Sequence, residues 1–181
     1  MLAVQVATTD SVDAEELAAL AARTFPLACP ASMTAENIAS FIDANLSVVS
    51  FTQYLADPER VILTANQDGR IVGYAMLVRG IADDADVQQA VSVRPAVELS
   101  KMYVLPDKHG AGVSTALMES ALVAGAELGA RCVWLGVNQQ NERAQRFYSK
   151  HGFTVNGTRS FQVGTRAEHD YVMVRELGNQ N

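Results

Sequence analysis

The spacing of apolar residues changes along the chain and divides it into helical and extended stretches. Residues 11–23, and the stretch that begins at Thr34, carry apolar side chains three and four positions apart, which predicts two amphipathic helices. Ser11 is the expected N-cap of the first helix, and Pro26 is expected to interrupt the chain after it. A third, short helix is predicted over residues 50–54.

Two extended stretches follow these helices. Segments 61–65 and 71–78 are rich in apolar and β-branched residues, so both are predicted to be strands. Asp68 and Gly69 between them are typical of a hairpin turn, because both residue types tolerate positive φ. Residues 80–95 are polar and acidic, and we expect an insertion there that contains a helical turn.

The second half of the chain alternates between extended and helical patterns. Its predicted strands cover residues 97–105, 132–137, 153–155 and 171–174. One helix is predicted after residue 112, and a shorter one over 141–150 that Gly152 ends. Since there is no internal repeat and no linker-like segment, these elements predict a single domain over residues 1–181, of mixed α+β class.

Composition and charge narrow the function. The chain has 181 residues, of which 49% are hydrophobic, and 14 Lys and Arg residues against 20 Asp and Glu residues give a net charge of −6. That balance disfavours nucleic acid as a partner and suits a cationic small substrate. Cys29 and Cys132 are too few for a disulfide framework or a zinc site, so no metal is expected. Neither a signal peptide nor a membrane span is indicated, so we expect a cytoplasmic protein with no membrane partner.

A glycine-rich turn is the main candidate for chemistry. The strand that ends at Leu105 runs into His109-Gly110-Ala111-Gly112-Val113-Ser114, where a helix begins. Glycines let backbone N–H groups approach an anion closely, and the helix start adds unpaired N–H groups and a positive dipole end. The hydroxyls of Ser114 and Thr115 lie in the first turn. The pattern predicts a cradle for phosphate or pyrophosphate, and a tight turn without a ligand is the alternative that it leaves open.

The residue after Gly112 limits which phosphate ligand fits. A nucleotide P-loop needs Lys followed by Ser or Thr at this point, whereas Val113 follows here. A Walker-type nucleotide site is therefore disfavoured.

A second motif lies downstream. After the strand over 132–137 the chain reads Asn-x-x-Ala and then Phe-Tyr-x-x-x-Gly-Phe, at Asn141, Ala144, Phe147, Tyr148, Gly152 and Phe153. This segment closely resembles the GNAT acetyltransferase superfamily. The pyrophosphate motif of that superfamily, Gln/Arg-x-x-Gly-x-Gly/Ala, aligns with His109, Gly112 and Ser114, so His109 and Ser114 depart from the consensus. The similarity covers roughly residues 60 to 176.

This resemblance implies a fold, a reaction and a set of binding residues. The fold is a central, mostly antiparallel, splayed β-sheet flanked by helices, and the reaction moves an acetyl group from acetyl-CoA to an amine. The splayed strand would hold the pantetheine arm through the main chain of Met102 and Val104. The other implied cofactor-binding residues are His109, Gly110, Ala111, Gly112, Val113, Ser114, Thr115, Asn141, Ala144, Phe147 and Tyr148.

Two side chains are candidates for proton transfer. An alkyl amine has a pKa of ~10.4 and must lose a proton before it attacks a thioester. Glu98 lies at about the same distance along the chain from His109 as the general-base glutamate of several family members, and it resembles that residue. Tyr148 matches the family's general-acid tyrosine, which protonates the leaving thiolate. The Val104 N–H is the candidate oxyanion donor. The structural alternatives are an exposed strand-end acid and a core tyrosine.

The acceptor follows from a narrower resemblance. Segments 134–137, 161–164 and 169–173 look like the bacterial branch that includes spermidine and spermine acetyltransferases, which implies a polyamine or another small primary amine. An amine of a protein or peptide is an alternative acceptor. Two non-enzymatic alternatives also stay open: a regulator that binds acyl-CoA without turnover, and a plain interaction domain. The resemblance allows a homodimer, which the sequence does not decide.

Overall fold

The computed structural model describes residues 1–110, 112–163 and 165–178 of the chain. These residues form a seven-stranded sheet in the order β1-β2-β3-β4-β5-β7-β6. The strands are β1 (Ala3–Val6), β2 (Arg60–Gln67), β3 (Arg70–Arg79), β4 (Ala96–Val104), β5 (Cys132–Asn138), β6 (Thr154–Val163) and β7 (Arg166–Glu176). Neighbouring strands are antiparallel except β4 and β5, which are parallel. The expected mostly antiparallel sheet of a mixed α+β fold is confirmed.

Helices cover both faces of the sheet. Those in the described part of the chain are α1 (Ala14–Ala28), α2 (Ala35–Asn45), α3 (Val48–Ala56), α4 (Ala85–Ala90), α5 (Val113–Glu127) and α6 (Glu142–Lys150). The long helix α5 packs along β1 to β5 on one face, whereas α1 and α3 lie against β2 to β4 on the other, and α2 and α4 pack against β6. None of these helices has both the length and the apolar character that crossing a bilayer requires.

Local signals explain most of the element boundaries. Four helices begin at residues whose side chains accept a hydrogen bond from the first turn, namely Thr34, Ser47, Asp84 and Asn141. The β2–β3 hairpin turns at Asp68 and Gly69, with φ of 55° and 77°, as predicted. The insertion over 80–95 contains α4, so the expected helical turn is also confirmed.

The first helix differs from its prediction at both ends. Its N-cap is Asp13, whose carboxylate accepts the Glu15 N–H at 2.8 Å, while Ser11 exchanges hydrogen bonds with Thr8 instead. A carboxylate also neutralises the positive helix end, which a serine does not. The helix continues past Pro26 to Ala28, because a proline so close to the C-terminus removes one hydrogen bond without ending the last turn.

Two features of the sheet were not predicted. Strand β1 is an edge strand of four residues that are exposed or half-buried, so it has no alternating pattern and forms only by pairing with the distant β2. The final strands β6 and β7 are also much longer than the predicted segments 153–155 and 171–174. Their polar ends pair with each other as a long hairpin.

The core lies between the sheet and its two helical layers. Leu117 and Met118 of α5 are fully buried on one face, and Phe51 of α3 and Tyr74 of β3 are fully buried in the same cluster. A smaller cluster forms around α4, where the Trp134 Nε1–H donates to the Gly80 carbonyl at 3.0 Å. Since burial of one large apolar side chain contributes about 1.5–3 kcal/mol, these contacts fix the strands that carry the site.

Candidate active site

The sheet opens between β4 and β5, and this opening defines the candidate site. The two strands pair only over Ala96–Glu98 of β4. Beyond Glu98, β4 stays paired with β3, and β5 stays paired with β7. Ser100 has no partner in β3, so a bulge lies two residues after Glu98, the last residue of β4 that pairs with β5. The result is a cleft between the two strands that begins at Glu98, which confirms the expected splayed sheet.

The main chain of Met102 and Val104 faces this cleft. The Leu105 N–H donates to the Val72 carbonyl at 2.9 Å, so Leu105 forms a hydrogen-bonded pair with β3. Antiparallel partners alternate between bonded and non-bonded pairs, and Val104 and Met102 therefore direct their N–H and C=O groups away from β3. An extended ligand arm lying in the cleft can continue the hydrogen bonding of β4 at these groups.

The glycine-rich turn closes one end of the cleft. Residues Pro106–Lys108 form a single 3₁₀ turn, and Gly110 and Gly112 have φ of 82° and 80°. Side chains rarely adopt this left-handed region. A Cβ added at either glycine would meet no atom of the described chain within 4 Å, so the space beside both residues is open. Ala111, which the resemblance includes among the binding residues, lies outside the described residues.

Helix α5 begins directly after this turn. Its first internal hydrogen bond runs from the Ala116 N–H to the Gly112 carbonyl at 3.0 Å. The N–H groups of Val113, Ser114 and Thr115 therefore precede the helical ladder and lie at its positive end. Open space beside two glycines, together with these donors, fits the diphosphate of coenzyme A.

Helix α6 begins beside the same turn. The Arg143 Nη2 group lies 2.9 Å from Nδ1 of His109, which joins the first turn of α6 to the glycine-rich turn. Asn141 is the N-cap of α6, and its Oδ1 atom accepts the Ala144 N–H at 3.1 Å. The structure therefore uses the Asn141 oxygen to start the helix, a role that the sequence analysis did not assign to it.

Tyr148 lies among aromatic side chains. Its ring centroid is 5.6 Å from that of Phe147 and 5.9 Å from that of Phe153, and Phe147 and Tyr148 are both half-buried. Burial raises the pKa of Tyr148 to about 12, so its hydroxyl keeps its proton at neutral pH. Burial also raises the pKa of Tyr103, and the neighbouring Tyr148 adds to that increase, which places Tyr148 near β4.

Glu98 lies at the point where the strands part. Its neighbour Val97 faces α5, since a Cβ added at Gly125 of that helix would lie 3.2 Å from Val97 Cγ1. Successive side chains of a strand point to opposite faces, so Glu98 points toward the face that α1 to α4 cover. The side chain is half-buried and not exposed, which departs from the alternative of an exposed strand-end acid.

The surroundings of Glu98 make it a stronger base than an exposed glutamate. Loss of water contact raises the pKa of Glu98 above its usual value of 4.5, although Arg159, Lys101 and Arg60 oppose that increase. Burial also lowers the pKa of Lys101 to about 8. A carboxylate of raised pKa at the mouth of a cleft is suited to accept a proton.

Arg159 and Asp170 form a buried pair on the same face, which the sequence analysis missed. The Nε atom of Arg159 lies 3.3 Å from Oδ2 of Asp170, and its guanidinium lies 5.6 Å from the centroid of the Trp134 ring. Burial raises the pKa of Asp170, and Arg159 opposes the increase. Gly136 makes room for this arrangement, because a Cβ there would lie 2.6 Å from Arg159 Cζ. The sequence signal for this pair is Asp170, an acidic residue at an inward position of β7, which needs a partner when it is buried.

Hydrogen bonds tie the end of the β6–β7 hairpin to the α1–α2 region. The sequence did not predict these contacts. An Arg166 guanidinium N–H donates to the Ser32 carbonyl at 3.0 Å, and the backbone N–H and hydroxyl of Thr165 both donate to Asn37 Oδ1 at 3.3 Å. Arg166 also forms an ion pair at 2.9 Å with Glu168, which is only 5% exposed. These contacts tie the hairpin to the α1–α2 region.

His151 and His169 do not join a metal site. Throughout the described ranges of the chain, no three His, Cys, Asp or Glu side chains are grouped so that they could hold a metal ion.

The cleft, the glycine-rich turn at its end and the position of Glu98 at its start agree with the arrangement that the resemblance implies. The model of the Acetyltransferase (GNAT) family matches residues 15–153, and the chain belongs to that family. An uncharacterized N-acetyltransferase from Mycobacterium tuberculosis is 61% identical over 165 residues, which cover 91% of this chain and 98% of that protein.

Solved structures show the same fold at low sequence identity. The PaiA N-acetyltransferase from Thermoplasma acidophilum, in complex with coenzyme A, gives a TM-score of 0.75 at 19% identity, over 98% of this chain and 99% of that one. The ribosomal-protein-S18-alanine N-acetyltransferase from Escherichia coli gives 0.67 at 16% identity, over 100% and 97% of the two chains. At these identities the two structures support the fold alone.

Family membership confirms two expectations from the sequence. The chain is an acyltransferase enzyme, and acetyl-CoA is its cosubstrate. The two non-enzymatic alternatives are therefore set aside. Since proteins of one fold act on different acceptors, the fold does not identify the acceptor, which depends on the residues around Glu98.

Proposed function

We propose that this enzyme transfers the acetyl group of acetyl-CoA directly to a primary amine of a small cationic molecule, with a polyamine as the leading acceptor. The observation that carries the proposal is the position of Glu98. This half-buried carboxylate lies at the residue where β4 and β5 part. A base at that point lies between the cleft for the cosubstrate and the face on which an acceptor can approach.

The residues of the cleft hold the cosubstrate, whose thioester supplies the acetyl group. The N–H groups of Val113, Ser114 and Thr115 and the two glycines of the turn cradle the diphosphate. The main chain of Met102 and Val104 hydrogen-bonds the pantetheine arm. The path of the pantetheine arm is lined by four residues of α6 and its N-cap: Asn141, Ala144, Phe147 and Tyr148.

Proton transfer is assigned to Glu98 and Tyr148. Glu98, in its ionised form, takes a proton from the acceptor ammonium, directly or through one water, and the neutral amine forms the new C–N bond. The Val104 N–H donates to the carbonyl oxygen as that oxygen gains negative charge. Tyr148 donates its proton to the sulfur as the C–S bond breaks. The nitrogen loses its second proton to solvent as the tetrahedral intermediate collapses, so the products are the neutral amide and free coenzyme A. Glu98 then releases its proton to solvent, and Tyr148 regains one.

The fastened hairpin supports a small acceptor over a protein or peptide. Because Arg166 and Thr165 tie the β6–β7 hairpin to Ser32 and Asn37, a peptide chain lying across this edge of the face would have to break these hydrogen bonds. A small amine can enter beside them. The tied hairpin therefore favours an acceptor of limited size.

The charges on the covered face support a cationic acceptor. Glu98, Glu168 and Asp170 place three carboxylates on this side of the sheet, and Glu168 and Asp170 are 5% and 3% exposed. Arg159 and Arg166 pair with Asp170 and Glu168, and Lys101 and Arg60 lie near Glu98, so these cations offset the local charge. Attraction of a cationic acceptor therefore comes from the Glu98 carboxylate at the reacting position and from the chain's net charge of −6.

A panel of amines tests the acceptor. Purified enzyme and acetyl-CoA are mixed with spermidine, spermine, an aminoglycoside or a peptide with an N-terminal alanine, and release of the CoA thiol is followed. We expect the fastest release with the polyamines, and a product that carries one added acetyl group by mass spectrometry. Faster release with the peptide would overturn the small-molecule acceptor. Stabilisation by coenzyme A without thiol release from any amine would overturn transfer itself.

Replacement of Gly112 by alanine tests the phosphate cradle. The new Cβ enters the space beside the turn, so we expect coenzyme A to bind about tenfold more weakly or worse, measured by calorimetric titration. The left-handed φ also costs about 1–2 kcal/mol of folding free energy with any side chain. Gly129→Ala is the matched control, because Gly129 has φ of 83° and open surroundings and lies just past the C-terminal end of α5, away from the glycine-rich turn. Equal loss of affinity in both variants would mean that strain alone is responsible.

A further inference from the structure

Arg143 lies in the first turn of α6 and belongs to none of the motifs considered so far. Its Nη2 group lies 2.9 Å from Nδ1 of His109, and the other ring nitrogen, Nε2, lies 3.1 Å from the Val104 carbonyl. A guanidinium can only donate, so Nδ1 of His109 accepts and Nε2 carries the proton that is donated to Val104. Two hydrogen bonds thus join α6, the glycine-rich turn and the end of β4.

The electrostatic surroundings of Arg143 favour the binding of an anion. The guanidinium lies in the first turn of α6, next to the turn that precedes α5, so the positive ends of both helices are close to it. The neighbouring acids have other partners: Glu142 pairs with Arg146 at 3.8 Å, and Asp107 pairs with Arg70 at 3.4 Å. None of the ion pairs in the described part of the chain includes Arg143. The exposed Arg143 guanidinium therefore has no carboxylate partner among the described residues, and an anion beside the glycine-rich turn can bind it.

We propose that Arg143 is a phosphate-binding residue of the acetyl-CoA site and that His109 positions it. This inference rests on the proposed function, since acetyl-CoA supplies the phosphate. The planar guanidinium can give two parallel hydrogen bonds to one phosphate group, an arrangement that a lysine cannot reproduce. The hydrogen bond to His109 holds the guanidinium beside the glycine-rich turn before the phosphate arrives, which limits the side-chain freedom lost on binding.

The same arrangement gives His109 a role that a glutamine, one of the two residues of the family motif, could also fill, whereas an arginine cannot accept from Arg143. A glutamine at this position has an amide N–H for the Val104 carbonyl and an amide oxygen for the Arg143 guanidinium, so it can form both hydrogen bonds. An alanine can form neither. His109 therefore acts through Arg143, and its imidazole need not touch the phosphate.

Binding of three probes to matched variants tests the role of Arg143. Coenzyme A and dephospho-CoA are titrated by calorimetry, and pantetheine, which carries no phosphate, is followed by ligand-observed NMR at millimolar concentration. We expect Arg143→Gln to weaken coenzyme A roughly tenfold, the size of one lost hydrogen bond between charged groups, and to leave pantetheine unaffected. Arg146→Gln is the control on the same helix, since Arg146 is exposed and pairs only with Glu142 among the described residues. The affinity of this variant for coenzyme A should change less than twofold.

Dephospho-CoA identifies which phosphate Arg143 binds. If the effect of Arg143→Gln persists with dephospho-CoA, the diphosphate is the ligand; if it disappears, the 3′-phosphate is the ligand, and either result supports the proposal. Equal binding of coenzyme A by Arg143→Gln and the unmodified enzyme would overturn it. So would an equal loss with pantetheine, because that would show a packing role.

Variants at His109 test the positioning. His109→Ala should weaken coenzyme A about as much as Arg143→Gln, with little further loss in the double variant, and His109→Gln should restore most of the affinity. Unchanged affinity in His109→Ala would overturn the positioning role. If the unmodified enzyme itself binds no coenzyme A, the proposed function fails; if it binds and Arg143→Gln binds equally well, only this inference fails.

Discussion

Tyr148→Phe should lower turnover by about 10²-fold or more at neutral pH while the affinity for acetyl-CoA changes little. The substitution removes only the hydroxyl, so the ring keeps its contacts with Phe147 and Phe153. Without a proton donor the sulfur must leave as a bare thiolate, which slows breakage of the C–S bond. Initial rates of thiol release at saturating acetyl-CoA, together with calorimetric titration of coenzyme A, separate the two effects.

Tyr103→Phe is the matched control for this prediction. Tyr103 is a second phenol of raised pKa close to Tyr148, so it is the most direct rival for the role of proton donor. We expect Tyr103→Phe to retain most of the turnover. If turnover falls in Tyr103→Phe and not in Tyr148→Phe, the assignment of the acid is wrong.

The raised pKa of Tyr148 also predicts how kcat depends on pH. The acid form is the active one, and a pKa of about 12 keeps the group protonated as pH rises. We therefore expect no loss of kcat from deprotonation of Tyr148 between pH 7 and pH 10, roughly the range below its pKa. A basic limb in that range that disappears in Tyr148→Phe would contradict this.

Glu98→Gln is expected to reduce kcat/KM by about 10²-fold at neutral pH, because the amide cannot accept a proton from the acceptor ammonium. The pH profile gives a sharper test than the rate alone. Glu98 is active when ionised, and burial raises its pKa above 4.5. Activity in the unmodified enzyme should therefore rise with pH through that elevated pKa, and this acid limb should be absent from Glu98→Gln.

Lys101→Met tests whether the acid limb belongs to Glu98. The Lys101 ammonium opposes the increase in the pKa of Glu98, so its removal should move the limb to higher pH. A limb that stays in place in Lys101→Met, or that survives in Glu98→Gln, would assign the base to another group.

The fold was predictable where local chemistry decides the structure. Thr34 starts α2, Asp68 and Gly69 form the hairpin turn, and the glycine-rich turn precedes α5, because each depends on residues within a few positions of one another. The N-cap of α1 was predicted at Ser11 and lies at Asp13, because the Asp13 carboxylate accepts a hydrogen bond from the first turn and neutralises the positive helix end.

The acceptor face was not predictable in the same way. Arg159 and Asp170 meet only because β6 and β7 pair in one register, and Arg159 reaches Trp134 only because Gly136 has no side chain in the way. Arg166 binds a carbonyl more than a hundred positions earlier in the chain, at Ser32. Contacts between such distant segments leave no periodic or spacing signal.

The sequence by itself predicted the class of the fold and the glycine-rich turn, because both depend on local patterns, and its resemblance to the GNAT superfamily supplied the candidates Glu98 and Tyr148. Only the tertiary structure decided that Glu98 lies where β4 and β5 part, that burial raises its pKa, and that Arg143 joins α6 to the cradle. Solvent exclusion and the distance between two charges depend on which segments pack together, and that is settled by the whole core and not by any one stretch of chain.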